Sequence, residues 1–234
     1  MQPTESVVVF HTPRTRSTSI LFLLEELGVP YELEIFRIQE EDVRQPVRLD
    51  QAPSAKSLSI RVRDAQVTGQ IAIFLYLADR FPEAHLAPPV SDAERGDYLR
   101  WMTDYASAFE PAIADRMPQA YYRKHFDAEF IRRFLKHDIA ANRRPLDDDL
   151  EALLQQIDDQ VSRTPYLLGD RFSAADILWA PALYCTTASG LISPSRAIER
   201  YTRRILSRQK CIDVLHQDVL LIEHPRASLQ VIPG

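Results

Sequence analysis

Apolar positions change their period twice along the first third of the chain. Residues 7–10, Val-Val-Val-Phe, are a short β-branched and aromatic run that predicts a buried strand. Residues 11–15, His-Thr-Pro-Arg-Thr, are turn-like, and Pro13 biases Thr12 towards an extended backbone. From Ser17 the spacing turns helical. Ile20, Leu21, Leu23, Leu24 and Leu27 form a broad stripe, Glu25 and Glu26 lie off it, and Gly28 stops it. Residues 31–36 alternate as a second strand, completing a strand–helix–strand unit with a right-handed crossover. After an irregular, charged stretch containing Pro46 and Pro53, residues 57–63 and 66–68 predict a hairpin turning at Asp64-Ala65. Ile71, Ile73, Phe74, Leu75 and Leu77 then predict a helix ending near Arg80.

A βαβ unit followed by ββα on one small sheet is the thioredoxin-like plan. Residues 82–89 hold Pro82, Pro88 and Pro89 and read as a linker, with Ser91 as an N-cap beyond it. Everything downstream has helical periodicity, with segments predicted at 92–114, 127–142, 146–162, 174–188, 196–207 and 209–217. The expected organisation is a thioredoxin-like α/β domain over 1–82, a linker over 83–90, an all-helical domain over 91–218 and an apolar tail over 219–234.

Composition narrows the function classes. A net charge of −5 argues against a nucleic-acid or anionic-membrane surface. No apolar run reaches the roughly 18–20 residues that span a bilayer, and the first residues lack a signal-peptide pattern. The two cysteines, Cys185 and Cys211, are too few for a disulfide framework, so a reducing cytoplasm is expected. The six histidines show no metal-ligand spacing, and no metal is expected. His11, beside the turn-like loop, is a candidate proton carrier.

Three stretches together resemble the glutathione S-transferase family. They are Pro13-Arg14-Thr15-Arg16-Ser17 with the Leu-Leu-Glu-Glu-Leu-Gly-Val-Pro-Tyr-Glu run from Leu23, then residues 94–102, then Pro165-Tyr166-Leu167-Leu168-Gly169-Asp170-Arg171-Phe172-Ser173-Ala174-Ala175-Asp176-Ile177. The third also has a reading of its own. Ser173 and Asp176 form a capping box, in which the carboxylate bonds back to the cap N–H, so the motif specifies fold rather than chemistry.

The resemblance implies that glutathione is a co-substrate and that a small electrophile is its acceptor. It also implies a homodimer, with Arg95, Arg100 and Trp101 on the helix pair that dimers bury. A hydroxyl near the start of the first helix would hold the sulfur as thiolate, since a helix N-terminus and nearby cations lower a thiol pKa. Thr15, Ser17 and Thr12 are the candidates, with Arg14 and Arg16 beside them; helix capping is the alternative role for Thr15 or Ser17. No cysteine lies in this loop, which disfavours a mixed-disulfide mechanism.

The remaining ligand positions depart from the family pattern. Lys56 keeps its place for the glycyl carboxylate, but Ser57-Leu58 stands where members carry a segment ending in a cis-proline. Gly69-Gln70 stands where members have Glu-Ser for the γ-glutamyl group. Tyr105 and Phe109, with Met117, Tyr121 and Tyr122, are candidates for the acceptor pocket wall or for ordinary packing. Two alternatives to a transferase stay open: an enzyme on this fold with another thiol or anionic substrate, as in biosynthetic tailoring, or a non-catalytic binding or scaffold protein.

Overall fold

The computed structural model describes residues 6–13, 15–35, 58–116, 146–223 and 231–232. The predicted helix at 127–142 lies outside these residues, as do Arg14, Lys56, Ser57, Met117, Tyr121 and Tyr122. The chain forms two compact units, one of Met1–Ala84 with Gln209–Gly234, the other of His85–Arg208.

In the first unit, β1 (Val7–His11) runs parallel to β2 (Tyr31–Ile35) and antiparallel to β3 (Ser59–Val62), which pairs with β4 (Ala65–Thr68). Helix α1 (Thr18–Leu27) connects β1 to β2, and α2 (Gln70–Arg80) follows β4. This is the expected βαβ-ββα plan. Val7 and Val9 of β1, Ile20, Leu21, Leu23 and Leu24 of α1, and Ile73, Phe74 and Leu77 of α2 are all buried. Gly28 ends α1 at φ 68°, ψ 30°, a left-handed conformation that costs a glycine little, and its N–H closes onto Glu25 and Leu24 carbonyls.

Two features of this unit differ from the sequence expectation. The last helix, Gln209–Glu223, continues past Gln217. Cys211, Val214, Asp218 and Leu221 are buried at spacings that keep one helical face, so Leu221 belongs to a helix stripe rather than to an irregular tail. The chain then returns as Val231–Ile232, an antiparallel edge strand on β2, giving the sheet order β4-β3-β1-β2-β5 with this strand as β5.

The second unit is helical. Helix α3 (Arg95–Asp104) passes through a π-turn (Tyr105–Phe109) into α4 (Glu110–Arg116), so the helix predicted at 92–114 is continuous but locally widened. The wider turn sets Tyr105 and Phe109 on one face, with centroids 5.3 and 5.0 Å from that of Trp179. Helix α5 (Asp148–Arg163) carries Asp148, Asp149 and Glu151 in its first turn and Arg163 in its last, as the helix dipole favours. It buries Leu150, Leu153, Ile157 and Val161. Helix α6 (Ala174–Ala188) is apolar nearly all round and forms the unit's centre, flanked by α7 (Arg196–Leu206). The Gln209–Glu223 helix is α8 hereafter.

The capping box forms as read. The Ser173 N–H donates to Asp176 Oδ2 at 2.8 Å, and the Ser173 side chain accepts from the Asp176 backbone. Asp176 does more than cap. Its Oδ1 accepts from the Leu167 N–H at 2.9 Å and the Tyr201 hydroxyl at 3.0 Å, tying the preceding loop and α7 to α6.

Candidate functional site

The loop between β1 and α1 is built around one hydroxyl. Ser17 stands at the N-cap position of α1, yet it makes no side-chain capping bond. Its Oγ instead accepts from the Thr12 N–H at 3.2 Å and lies 3.1 Å from the Thr12 carbonyl, 2.9 Å from Thr15 Oγ1 and 2.8 Å from His11 Nδ1. Ser17 is 1% exposed, so its oxygen is an interior hub. Thr15 is half-buried. Its Oγ1 donates to the Thr12 carbonyl at 2.7 Å and accepts from the Ser17 N–H at 3.3 Å. Thr12 and Arg16 are also half-buried. The three loop hydroxyl residues therefore differ in access, with Ser17 inside and Thr12 and Thr15 nearer the surface.

His11 ends β1 and is fully buried. Its second nitrogen, Nε2, lies 2.9 Å from Asp218 Oδ1. The other Asp218 oxygen accepts from Thr18 Oγ1 at 2.6 Å, at the first residue of α1. Asp218, 2% exposed, projects from the buried face of α8. One residue earlier on the same helix, Gln217 Oε1 lies 3.3 Å from the Tyr31 hydroxyl, which donates to Glu25 at 2.9 Å. Burial, foremost, and the charges of Glu25 and Asp218 hold Tyr31 in its phenol form far above the usual tyrosine range.

The positions assigned to the rest of a ligand look different. The Leu58 carbonyl accepts from the Gly69 N–H at 2.8 Å, bridging the start of β3 to the start of α2. Gly69 has φ 96° and ψ 134°, and a Cβ there would meet nothing within 4 Å. Space is open for a side chain, but the backbone is one that L-residues rarely adopt. Gln70 turns inward: it is 7% exposed and its Nε2 donates to Ser19 Oγ at 2.9 Å, while its Oε1 is buried with no partner among the described residues. Tyr105 and Phe109, each 2% exposed, pack against Trp179 inside the second unit. Trp101 is buried as well, and its indole N–H donates to the Leu167 carbonyl at 3.2 Å.

Sequence reading marked His11 and the three hydroxyls, and the structure joins His11, Ser17 and Thr15. It missed Asp218, which lies 207 positions from its partner. The available signal was an acidic residue on the apolar stripe of α8, visible once that helix is extended to Glu223. Among the described residues no group of His, Cys, Asp and Glu is arranged to hold a metal ion, and no helix is long and apolar enough to cross a membrane. Cys185 and Cys211 are free and buried.

Known proteins resemble the chain in sequence and in fold. Residues 119–191 match the family described as glutathione S-transferase, C-terminal domain. Glutathione S-transferase 3 of Schizosaccharomyces pombe is 24% identical over 215 residues, covering 88% of this chain and 85% of that protein. Among solved structures, a ternary complex of BphK, a bacterial GST, superposes with a TM-score of 0.68 at 22% identity, over 91% of this chain and 100% of that one. A glutathione transferase homologue from Sulfitobacter with bound glutathione gives 0.67 at 21% identity, over 91% and 98%.

Proposed function

We propose that the chain is a glutathione S-transferase-like enzyme that joins the thiol of glutathione to a small electrophile, with Thr15 as the hydroxyl that holds the thiolate. The observation that carries this reading is the order of the loop hydroxyls. Ser17 is sealed inside and supports Thr15, and Thr15 stands half-buried beside the N-terminus of α1. A thiolate there meets a hydroxyl donor and the positive end of the helix, both of which favour S⁻ over S–H. Arg14 and Arg16 flank the same loop and supply positive charge. A homodimer and a reducing, cytoplasmic setting belong to the same proposal.

Gly69 and Gln70 favour a second reading, an enzyme on this fold whose thiol or anionic substrate lacks an ordinary γ-glutamyl end. A carboxylate at position 69 would need a strained backbone, and the Gln70 amide is spent on Ser19. Charged hydrogen bonds are worth about 1.5–3 kcal/mol each, so two missing contacts weaken glutathione by roughly a hundredfold to ten-thousandfold.

Calorimetric titration of glutathione into wild type, Thr15→Ala and Thr15→Ser separates the two readings when paired with turnover of a generic aromatic electrophile. Micromolar to low-millimolar binding, with kcat/KM cut about 100-fold in Thr15→Ala and largely kept in Thr15→Ser, supports the first. No binding to wild type, with activity on a different thiol, moves the assignment to the second.

A further inference from the structure

We propose that His11, held by Asp218, is the proton acceptor for the bound thiol, reached through a relay of the Ser17 and Thr15 hydroxyls. The inference rests on the thiol reading above. Three contacts make an unbroken line from α8 to the loop surface: Asp218 Oδ1 to His11 Nε2 at 2.9 Å, His11 Nδ1 to Ser17 Oγ at 2.8 Å, and Ser17 Oγ to Thr15 Oγ1 at 2.9 Å.

The donor inventory gives this line two complete states. A carboxylate only accepts, so Asp218 fixes the His11 proton on Nε2 and leaves Nδ1 bare in the neutral ring. Ser17 then donates to Nδ1 and accepts from the Thr12 N–H; Thr15, whose single proton otherwise goes to the Thr12 carbonyl at 2.7 Å, turns it to Ser17 at 2.9 Å and accepts from a thiol S–H. In the second state every proton has moved one place. The S–H bond breaks and its proton joins Thr15 Oγ1; the Thr15 proton passes to Ser17 Oγ; the Ser17 proton passes to His11 Nδ1. The electron pair of the S–H bond stays on sulfur. The products are a thiolate accepting from Thr15 and an imidazolium paired with the Asp218 carboxylate, so total charge is unchanged.

Burial gives the relay its direction. His11 is fully buried and the Asp218 side chain is 3% exposed, so the imidazolium finds its countercharge in Asp218 rather than in water. Among the described residues the pair also faces the Thr18 hydroxyl from α1, and Tyr31 from β2, which stays a phenol and donates its hydrogen bond to the Glu25 carboxylate of α1. His11, Ser17 and Asp218 act through Thr15 and are positioning residues.

The test is the pH titration of the thiolate absorbance of bound glutathione, in wild type, Asp218→Asn, His11→Gln and Ser17→Ala, each checked for folding by circular dichroism. The expected result is a thiol pKa raised by at least about one unit in all three variants, a tenfold loss of thiolate, with kcat falling and KM nearly unchanged. Ser17→Ala combined with Asp218→Asn adds nothing further, because the line is already cut. Should the buried substitutions unfold, side-chain ¹⁵N spectra of wild-type His11 decide. A proton on Nε2 with Nδ1 accepting supports the relay, and the opposite neutral tautomer overturns it. A thiolate signal present in wild type and unchanged in folded variants also overturns it, while leaving the thiol reading standing. No thiolate signal in wild type removes the thiol reading and the relay's end point together.

Discussion

The two units each bury an aspartate, and the two are used in opposite ways. Asp176, at the start of α6, is fully buried and takes four hydrogen bonds, from the Leu167 and Ser173 N–H groups and from the Ser173 and Tyr201 hydroxyls. None of these donors releases its proton near neutrality, and burial with the Asp176 charge pushes the Tyr201 phenol further up. Among the described residues, Asp218 accepts from the Thr18 hydroxyl with one oxygen and turns the other to an imidazole. Imidazole is the side chain that exchanges protons near neutral pH. A carboxylate saturated by inert donors is a structural tie. One that shares its charge with an exchangeable ring is placed for chemistry.

The contrast breaks first at Asp176. Asp176→Asn keeps the shape but sets an NH₂ against a backbone N–H, of Leu167 or Ser173, that can only donate, and a loss of about 3–5 kcal/mol is expected in urea unfolding. Asp218→Asn should cost less, about 1–2 kcal/mol, because the amide can accept from Thr18 and donate to a His11 ring that has switched tautomer. Equal losses at the two sites would erase the distinction.

The pH dependence sharpens it. Burial raises the Asp176 carboxyl from 3.8 to about 6 against the pull of its four hydrogen bonds. The folded chain therefore holds this proton more tightly than the unfolded chain does. That contribution is complete below about pH 4 and is lost as pH rises through about 6. Wild type should gain on Asp176→Asn, which cannot titrate there, by on the order of 2–3 kcal/mol between pH 7 and pH 4. Paired urea curves at the two pH values measure it; a constant gap would mean that the hydrogen bonds cancel burial, and a gap that shrinks towards pH 4 that they outweigh it.

How legible each aspartate was follows from how local its partners are. The Asp176 motif sits within a dozen residues of Leu167 and Ser173, so periodicity and capping rules read it without a fold. The same holds for α1 and its Gly28 stop. Asp218 meets His11 only after β1, α1 and α8 have assembled, and no local rule links those positions. The α8 extension was hidden because its last turn, Val219-Leu220-Leu221-Ile222, reads equally as an apolar tail. The π-turn was hidden for another reason: its aromatic residues, Tyr105 and Phe109, pack on Trp179, some seventy residues onward, and no local spacing marks the widened turn. Hydroxyl spacing marked the loop as chemical, but it did not say which oxygen was sealed.

The smallest expected effects test whether the Asp176 tie is cooperative. Tyr201→Phe removes one donor and leaves a dry ring in its place, and Ser173→Ala removes the hydroxyl but keeps the Ser173 N–H bond to Oδ2. Each should cost about 1 kcal/mol, within the roughly 0.5–2 kcal/mol range for a lost cap and the roughly 0.5–1.5 for a typical hydrogen bond. Because both donors serve one carboxylate, losing the first makes the second more valuable. The double variant should lose more than the sum of the singles, by about 0.5 kcal/mol or more in a double-mutant cycle. Strict additivity would show that the remaining backbone N–H bonds alone hold the charge.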